Sequence, residues 1–87
     1  MIQKEVTIKN RSGLHTRPAA TLVKLAAKYK SEFIILKDGV EINGKSIIGV
    51  MTLAAEQGST LIVQFTGDDE AAVAEAIVGL FDRGFDE

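Results

Sequence analysis

The residues most capable of chemistry lie together in Ser12-Gly13-Leu14-His15-Thr16-Arg17-Pro18-Ala19-Ala20, which holds the only histidine and the only proline of the 87 residues. Imidazole is a nucleophile suited to neutral pH, and Arg17 adds a permanent cation two residues on. Gly13 suits a tight turn off a strand, because it adopts backbone angles closed to other residues. Pro18 is tolerated in the first turn of a helix, where its missing N–H costs little. Together they put His15 at or just before a helix N-terminus, beside free N–H groups and the positive end of the dipole. That end disfavours imidazolium and keeps the ring nucleophilic. An imidazole, a guanidinium and a helix start suit a phosphoryl group. A lone histidine before a helix also fits a plain exposed loop. What favours chemistry is a second phosphate-compatible helix start, at Ser46.

The elements that position these residues read as follows. Residues 2–9 alternate as a half-buried strand, with Ile2, Val6 and Ile8 inward and Lys4 on the apolar side near an open end. A helix over 16–28 buries Ala19, Leu22, Val23, Ala26 and Ala27 and leaves Lys24 and Lys28 in water. Phe33–Leu36 and Val40–Ile42 flank Asp38-Gly39, a hairpin signal. Asn43-Gly44 turns the chain, Ser46 caps a short helix over Ile47–Leu53, and Gly58 ends that helical region. Thr60–Phe65 alternates with Leu61, Val63 and Phe65 inward. Asp68 caps a last helix with Ala72, Val73, Ala76, Ile77, Leu80 and Phe81 as its stripe and Gly84 as its stop. Four short strands with helical excursions suggest one sheet with helices on one face, an α+β fold in a single domain spanning 1–87.

Composition removes several classes. With no cysteine and one histidine, disulfides and thiolate metal sites are excluded, and neither a metal nor a cofactor is expected. The N-terminal residues lack the basic and apolar regions of a signal peptide, and no run approaches the roughly 20 apolar residues of a membrane span. A cytoplasmic protein without membrane insertion is the expectation. Residues 1–50 carry a net +5 and residues 51–87 a net −7, for −2 in all. The basic half contains His15 and Arg17 and should favour an anionic group or an acidic partner surface. Its cations are scattered without interleaved aromatics, so no nucleic-acid partner is expected.

The sequence resembles the histidine-containing phosphocarrier proteins (HPr) of the bacterial sugar phosphotransferase system across essentially its whole length. Gly13-Leu14-His15-Thr16-Arg17-Pro18-Ala19 fits the family's active-site signature. Lys45-Ser46-Ile47-Ile48-Gly49-Val50-Met51 fits its second, around a regulatory serine. The resemblance implies an open-faced β-sandwich of βαββαβα topology, with an antiparallel sheet in the order 1-4-2-3. It implies that His15 takes a phosphoryl group, on Nδ1, from enzyme I and passes it to enzyme IIA domains of sugar permeases, with Arg17 serving the phosphoryl group. It further implies phosphorylation of Ser46 by an HPr kinase/phosphorylase in some bacteria and contact with a transcriptional regulator. The tail Leu80–Glu87 is reminiscent of the nitrogen-branch paralogue NPr, whereas the Ser46 signature is closer to sugar-branch and regulatory carriers.

Such a chain is a carrier, transiently phosphorylated, and no enzyme. Thr16, Ala20, Ile47, Ile48 and Met51 are the expected partner surface. Ile47, Ile48 and Met51 crowd one short helix, so either they enter the core or they leave a small apolar patch beside His15. Ser46 caps its helix whether or not a kinase exists. Two other readings stay open: a small phosphate-handling enzyme such as an acylphosphatase, and a purely regulatory binding module, whose relatives typically lose the histidine that this chain retains.

Overall fold

Alternating side chains make the first strand, β1 (Ile2–Thr7), and Asn10–Gly13 turn it into α1 (Thr16–Ala26). The hairpin β2 (Glu32–Lys37) and β3 (Val40–Asn43) follows, then α2 (Ile47–Thr52), β4 (Thr60–Thr66), α3 (Glu70–Asp82) and a closing 3-10 turn at Gly84–Asp86. The computed structural model describes all of residues 1–87. The strands form one antiparallel sheet in the order β1-β4-β2-β3, with Val6 opposite Leu61, and Phe33 opposite Phe65. Asp38 and Gly39, both at positive φ (51° and 82°), make the hairpin turn that their sequence signals.

One face of the sheet is covered and the other open. Val6, Phe33, Ile35, Leu61, Val63 and Phe65 point to the covered side and are buried. There they meet Leu22 and Ala26 of α1, Val50 of α2, and Val73, Ile77, Leu80 and Phe81 of α3. Phe33 and Phe65, directly paired in the register, stack at 5.0 Å between ring centroids. Lys4, although on the covered side by parity, is exposed at the sheet's edge beneath α3. The α+β open-faced sandwich with three helices on one face is therefore present.

Several boundaries and contacts differ from the sequence reading. β1 stops at Thr7 and α1 at Ala26, two residues short of expectation at each end. The second helix ends at Thr52, and the chain leaves it through Ala54 at φ 49°. Gly58 lies beyond it, in the turn before β4, where its N–H donates to the Ile8 carbonyl at 2.8 Å. The stripe of α3 is rotated: Ala74 is buried and Ala72 exposed, because Ala72 lies about 125° from the centre of the Val73–Ile77–Leu80–Phe81 face at about 100° per residue.

The cap of α3 also moves, from Asp68 to Asp69, and Asp69 does other work. Its carboxylate accepts from the Lys30 and Ser31 amides, each at 2.9 Å, and from the Ser31 hydroxyl. The start of α3 is thereby tied to the α1–β2 loop. The Ser31 hydroxyl first, then the Lys30 amide, hold the Asp69 carboxyl below the usual carboxylate range.

Candidate phosphoryl-transfer site

The loop before α1 is shaped by its own backbone. The Gly13 N–H donates to the Asn10 carbonyl at 3.2 Å, and the Asn10 side-chain amide donates back to the Gly13 carbonyl at 2.7 Å. Gly13 sits at φ 69°, and a Cβ there would lie 2.4 Å from the Ala55 carbonyl oxygen. Only glycine fits that approach. Next along, the Leu14 N–H donates to the same Ala55 carbonyl at 2.9 Å, and Leu14 is buried. The loop is thus fastened to the segment leaving α2, and α2 itself packs on α1. Two stretches more than thirty residues apart in sequence share one side of the molecule.

His15 is the N-cap of α1, with extended backbone (φ −80°, ψ −172°) and no capping bond from its side chain. Its carbonyl accepts from the Ala19 N–H at 3.0 Å, while the Thr16 and Arg17 amides meet no protein acceptor. Pro18, third in the helix, has no N–H to leave unpaired. His15, Thr16 and Arg17 are all exposed, and no carboxylate lies within 4 Å of the Arg17 guanidinium. An anion at this spot would meet two free amides, a helix dipole and an uncommitted guanidinium.

Ser46 is the N-cap of α2, and here the side chain is committed: its Oγ accepts from the Gly49 N–H at 3.0 Å. The neighbouring Lys45 ammonium donates to the Tyr29 carbonyl at 2.7 Å, in the turn that follows α1. Ile47 and Met51 are each 41% exposed and Ile48 77%, so the apolar residues of this helix form a surface patch and Val50 alone enters the core. Of the remaining expected surface residues, Thr16 is exposed and Ala20 half-buried.

One neighbour of His15 was missed by the sequence reading. The Glu87 Oε2 lies 3.5 Å from His15 Nε2, and its Oε1 accepts from the buried Asn10 amide at 3.2 Å. The tail reaches the site because Gly84, Phe85 and Asp86 all take positive φ, folding the chain back. Phe85 is buried edge-on to Phe81, centroids 4.9 Å apart. The available signal was an aromatic residue just past a helix-stopping glycine.

No group of three or more His, Cys, Asp or Glu side chains is placed to hold a metal ion. No helix is long and apolar enough to cross a membrane. Fold and site together define a class: an open-faced β-sandwich that presents an uncapped histidine at the start of its first helix. Residues 2–83 match the family described as the PTS HPr component phosphorylation site. The chain is 42% identical over all 87 residues to the phosphocarrier protein HPr of Treponema pallidum, covering 99% of it. It is 40% identical to the phosphocarrier protein NPr of Proteus mirabilis, with 97% of this chain and 94% of that one aligned. A crystal structure of HPr from Thermoanaerobacter tengcongensis superposes with a TM-score of 0.96 at 40% identity, covering 100% of this chain and 98% of that one. The chain belongs to the HPr phosphocarrier family of the phosphotransferase system.

Proposed function

We propose that the protein carries a phosphoryl group on His15, taking it from enzyme I, which draws it from phosphoenolpyruvate, and giving it to enzyme IIA domains of sugar permeases. The observation that carries this reading is the exposed imidazole at an uncapped helix start, beside two free amides and the unpaired Arg17 guanidinium. His15 is the nucleophile. Arg17 and the Thr16 and Arg17 amides receive the phosphoryl oxygens. Their grip stays modest because the site is open to water, and a carrier must release its cargo. Thr16, Ala20, Ile47, Ile48 and Met51 form the surface that both partners cover, its apolar centre being the α2 patch. One core built from residues 6 to 85 supports treating 1–87 as one domain, and a carrier serving these partners works in the cytoplasm.

Ser46 is the regulatory position. A phosphate there sits at the start of α2 and next to the exposed Ile47 and Ile48, so it interferes with docking without touching the imidazole. A kinase acting on Ser46, and a regulator that reads the modified form, are the further partners of this reading.

The test is incubation with phosphoenolpyruvate and enzyme I followed by intact mass. One added phosphate, labile in acid and stable in base, and absent from a folded His15→Ala variant, is the expected result. Continuous release of free phosphate without a stoichiometric adduct would instead make the protein a small phosphatase. The NPr relative, 40% identical against 42% for the HPr, together with the tail Leu80–Glu87, supports a second reading in the nitrogen branch. Transfer rates measured with sugar-branch and nitrogen-branch enzyme I, side by side, separate the two.

A further inference from the structure

The uncovered face of the sheet lies away from the three helices and takes no part in the phosphoryl site. Its side chains alternate with the buried ones, and the register sets four of them in a single row across all four strands. The row reads Glu5 on β1, Ile62 on β4, Leu36 on β2 and Glu41 on β3. Two half-buried apolar side chains therefore hold its middle, with an exposed carboxylate at each end. Ile34, two residues before Leu36 on the same strand, is also half-buried and widens the apolar centre. Glu32, two residues before that, is exposed on the same face. No lysine, arginine or histidine occupies a strand position on this face, since Lys4 and Lys37 fall on the covered side by parity. None of the three glutamates has a cation within 4 Å.

An antiparallel sheet can leave one face to water, but surfaces meant for water usually intersperse both signs of charge. Here one sign stands alone around an apolar centre, and that selects the occupant. Three unpaired carboxylates repel a second copy of the same face, and they repel anionic lipid and nucleic acid as well. They complement a cationic protein surface with an apolar middle. Spacing selects its form. Strands about 4.8 Å apart put β1 and β3 about 14 Å from each other, which admits one helix about 10–12 Å across. Glu32 lies about 13 Å along β2 from Leu36, some two and a half helical turns. We propose that this face binds a basic amphipathic helix of another protein. The helix runs along β4 and β2 with its apolar stripe on Ile34, Leu36 and Ile62. Its flanking Lys or Arg side chains meet Glu5 and Glu41, and a further cation meets Glu32. A face about 14 Å by 20 Å keeps the total buried area below roughly 1,200 Å², the range of transient contacts. Because α1 and α2 pack on the opposite side of the sheet, His15, Arg17 and the α2 patch stay free while the helix is bound. The proposal does not depend on the carrier chemistry.

The probe is a synthetic peptide of about 18 residues, with Leu at i, i+3, i+4 and i+7 spacing and Lys on both flanks, long enough to hold a helix once bound. It is titrated into the ¹⁵N-labelled full chain, and amide shifts map the contact. Shifts should centre on Ile34, Leu36, Ile62, Glu5 and Glu41, with a Kd on the order of tens of micromolar at low salt. Raising the salt should weaken binding roughly fivefold or more. The double variant Glu5→Lys, Glu41→Lys should weaken it roughly tenfold or more, and Ile62→Thr roughly threefold without any change of charge. All three positions lie outside the core, so the variants should fold, which amide spectra of the free proteins verify. Phosphoryl transfer from enzyme I to His15 should keep its wild-type rate in both variants. A peptide of the same composition without an apolar stripe should bind far more weakly; equal binding would reduce the face to diffuse negative charge and overturn the proposal. It is equally overturned if the shifts centre on Glu75 and Asp82 of α3, or if both variants bind as wild type does. Shifts at the same residues that follow protein concentration alone would make the occupant a second copy of this chain and also overturn it.

Discussion

Two helices in this protein begin with a polar residue in the extended conformation, and the side chains of those two residues are used differently. At α2 the Ser46 hydroxyl accepts the Gly49 N–H, so the helix supplies its own cap. At α1 the His15 side chain makes no such bond, and the Thr16 and Arg17 amides are left to the solvent. Each start leaves its first two amides without a protein acceptor, Ile47 and Ile48 at α2 as well as Thr16 and Arg17 at α1, and the difference lies at the third position, where Gly49 is capped and Pro18 has no N–H. A phosphate arriving at His15 disturbs no capping bond, whereas one attached to Ser46 modifies the oxygen that already caps Gly49. This contrast separates a place where a group lands and leaves from one where a charge is added to an already stable end.

The largest effect that tests the contrast is His15→Ala. It should abolish phosphoenolpyruvate-dependent labelling while leaving the urea midpoint within error of wild type, since no capping bond is lost. A clear fall in that midpoint would show that His15 does cap its helix. Next is Gly13→Ala, which forces a Cβ to within 2.4 Å of the Ala55 oxygen at φ 69°. Left-handed strain and the clash together should cost about 3 kcal/mol, read as a lower urea midpoint. Arg17→Ala should slow transfer by roughly ten- to a hundredfold, as one charge-assisted contact worth about 1.5–3 kcal/mol disappears from the transition state. Thermal melting of this variant should match wild type, and rates equal to wild type with both partners would reduce Arg17 to a surface charge.

Ser46 gives the smallest and most discriminating pair. Ser46→Ala removes the cap and should cost about 1 kcal/mol, a fall of several degrees in Tm for a domain of this size. Ser46→Asp keeps an acceptor at the cap and should melt close to wild type. Its apparent affinity for enzyme I should drop a few-fold at low salt and recover as salt is raised. If Ser46→Asp accepts phosphoryl at the wild-type rate at low salt and subsaturating carrier, Ser46 is a cap and nothing more.

The parts of this picture legible in the sequence are those set by local chemistry. Gly13 and Pro18 announce a turn and a helix start around His15, Ser46 announces its own cap, and Asp38-Gly39 announces the hairpin. The strand order came with the family resemblance, since alternation alone says how many strands exist and not which lie side by side. What stayed hidden was decided between segments distant in sequence. Asp69 is drawn from capping to the Lys30–Ser31 loop, Ala54 takes the left-handed turn usually left to glycine, and Glu87 crosses to His15 because Phe85 is anchored beneath it. Alanine also blurs a helical stripe, as the exchange of Ala72 for Ala74 shows.

The strand order has a consequence for the order of events during synthesis. β4 lies between β1 and β2, so Ile2 finds its partner Phe65 only after sixty-two intervening residues have been made. The fastenings of the His15 loop are equally late, for the Ile8 N–H waits for Ser59 and the Leu14 N–H for Ala55. A nascent chain shorter than about sixty residues holds the histidine signature but nothing to set it against. Closing such long-range pairs is slow relative to making local helices. The N-terminal strand therefore spends most of translation unpaired, and the reactive end of the molecule is among the last parts to take shape.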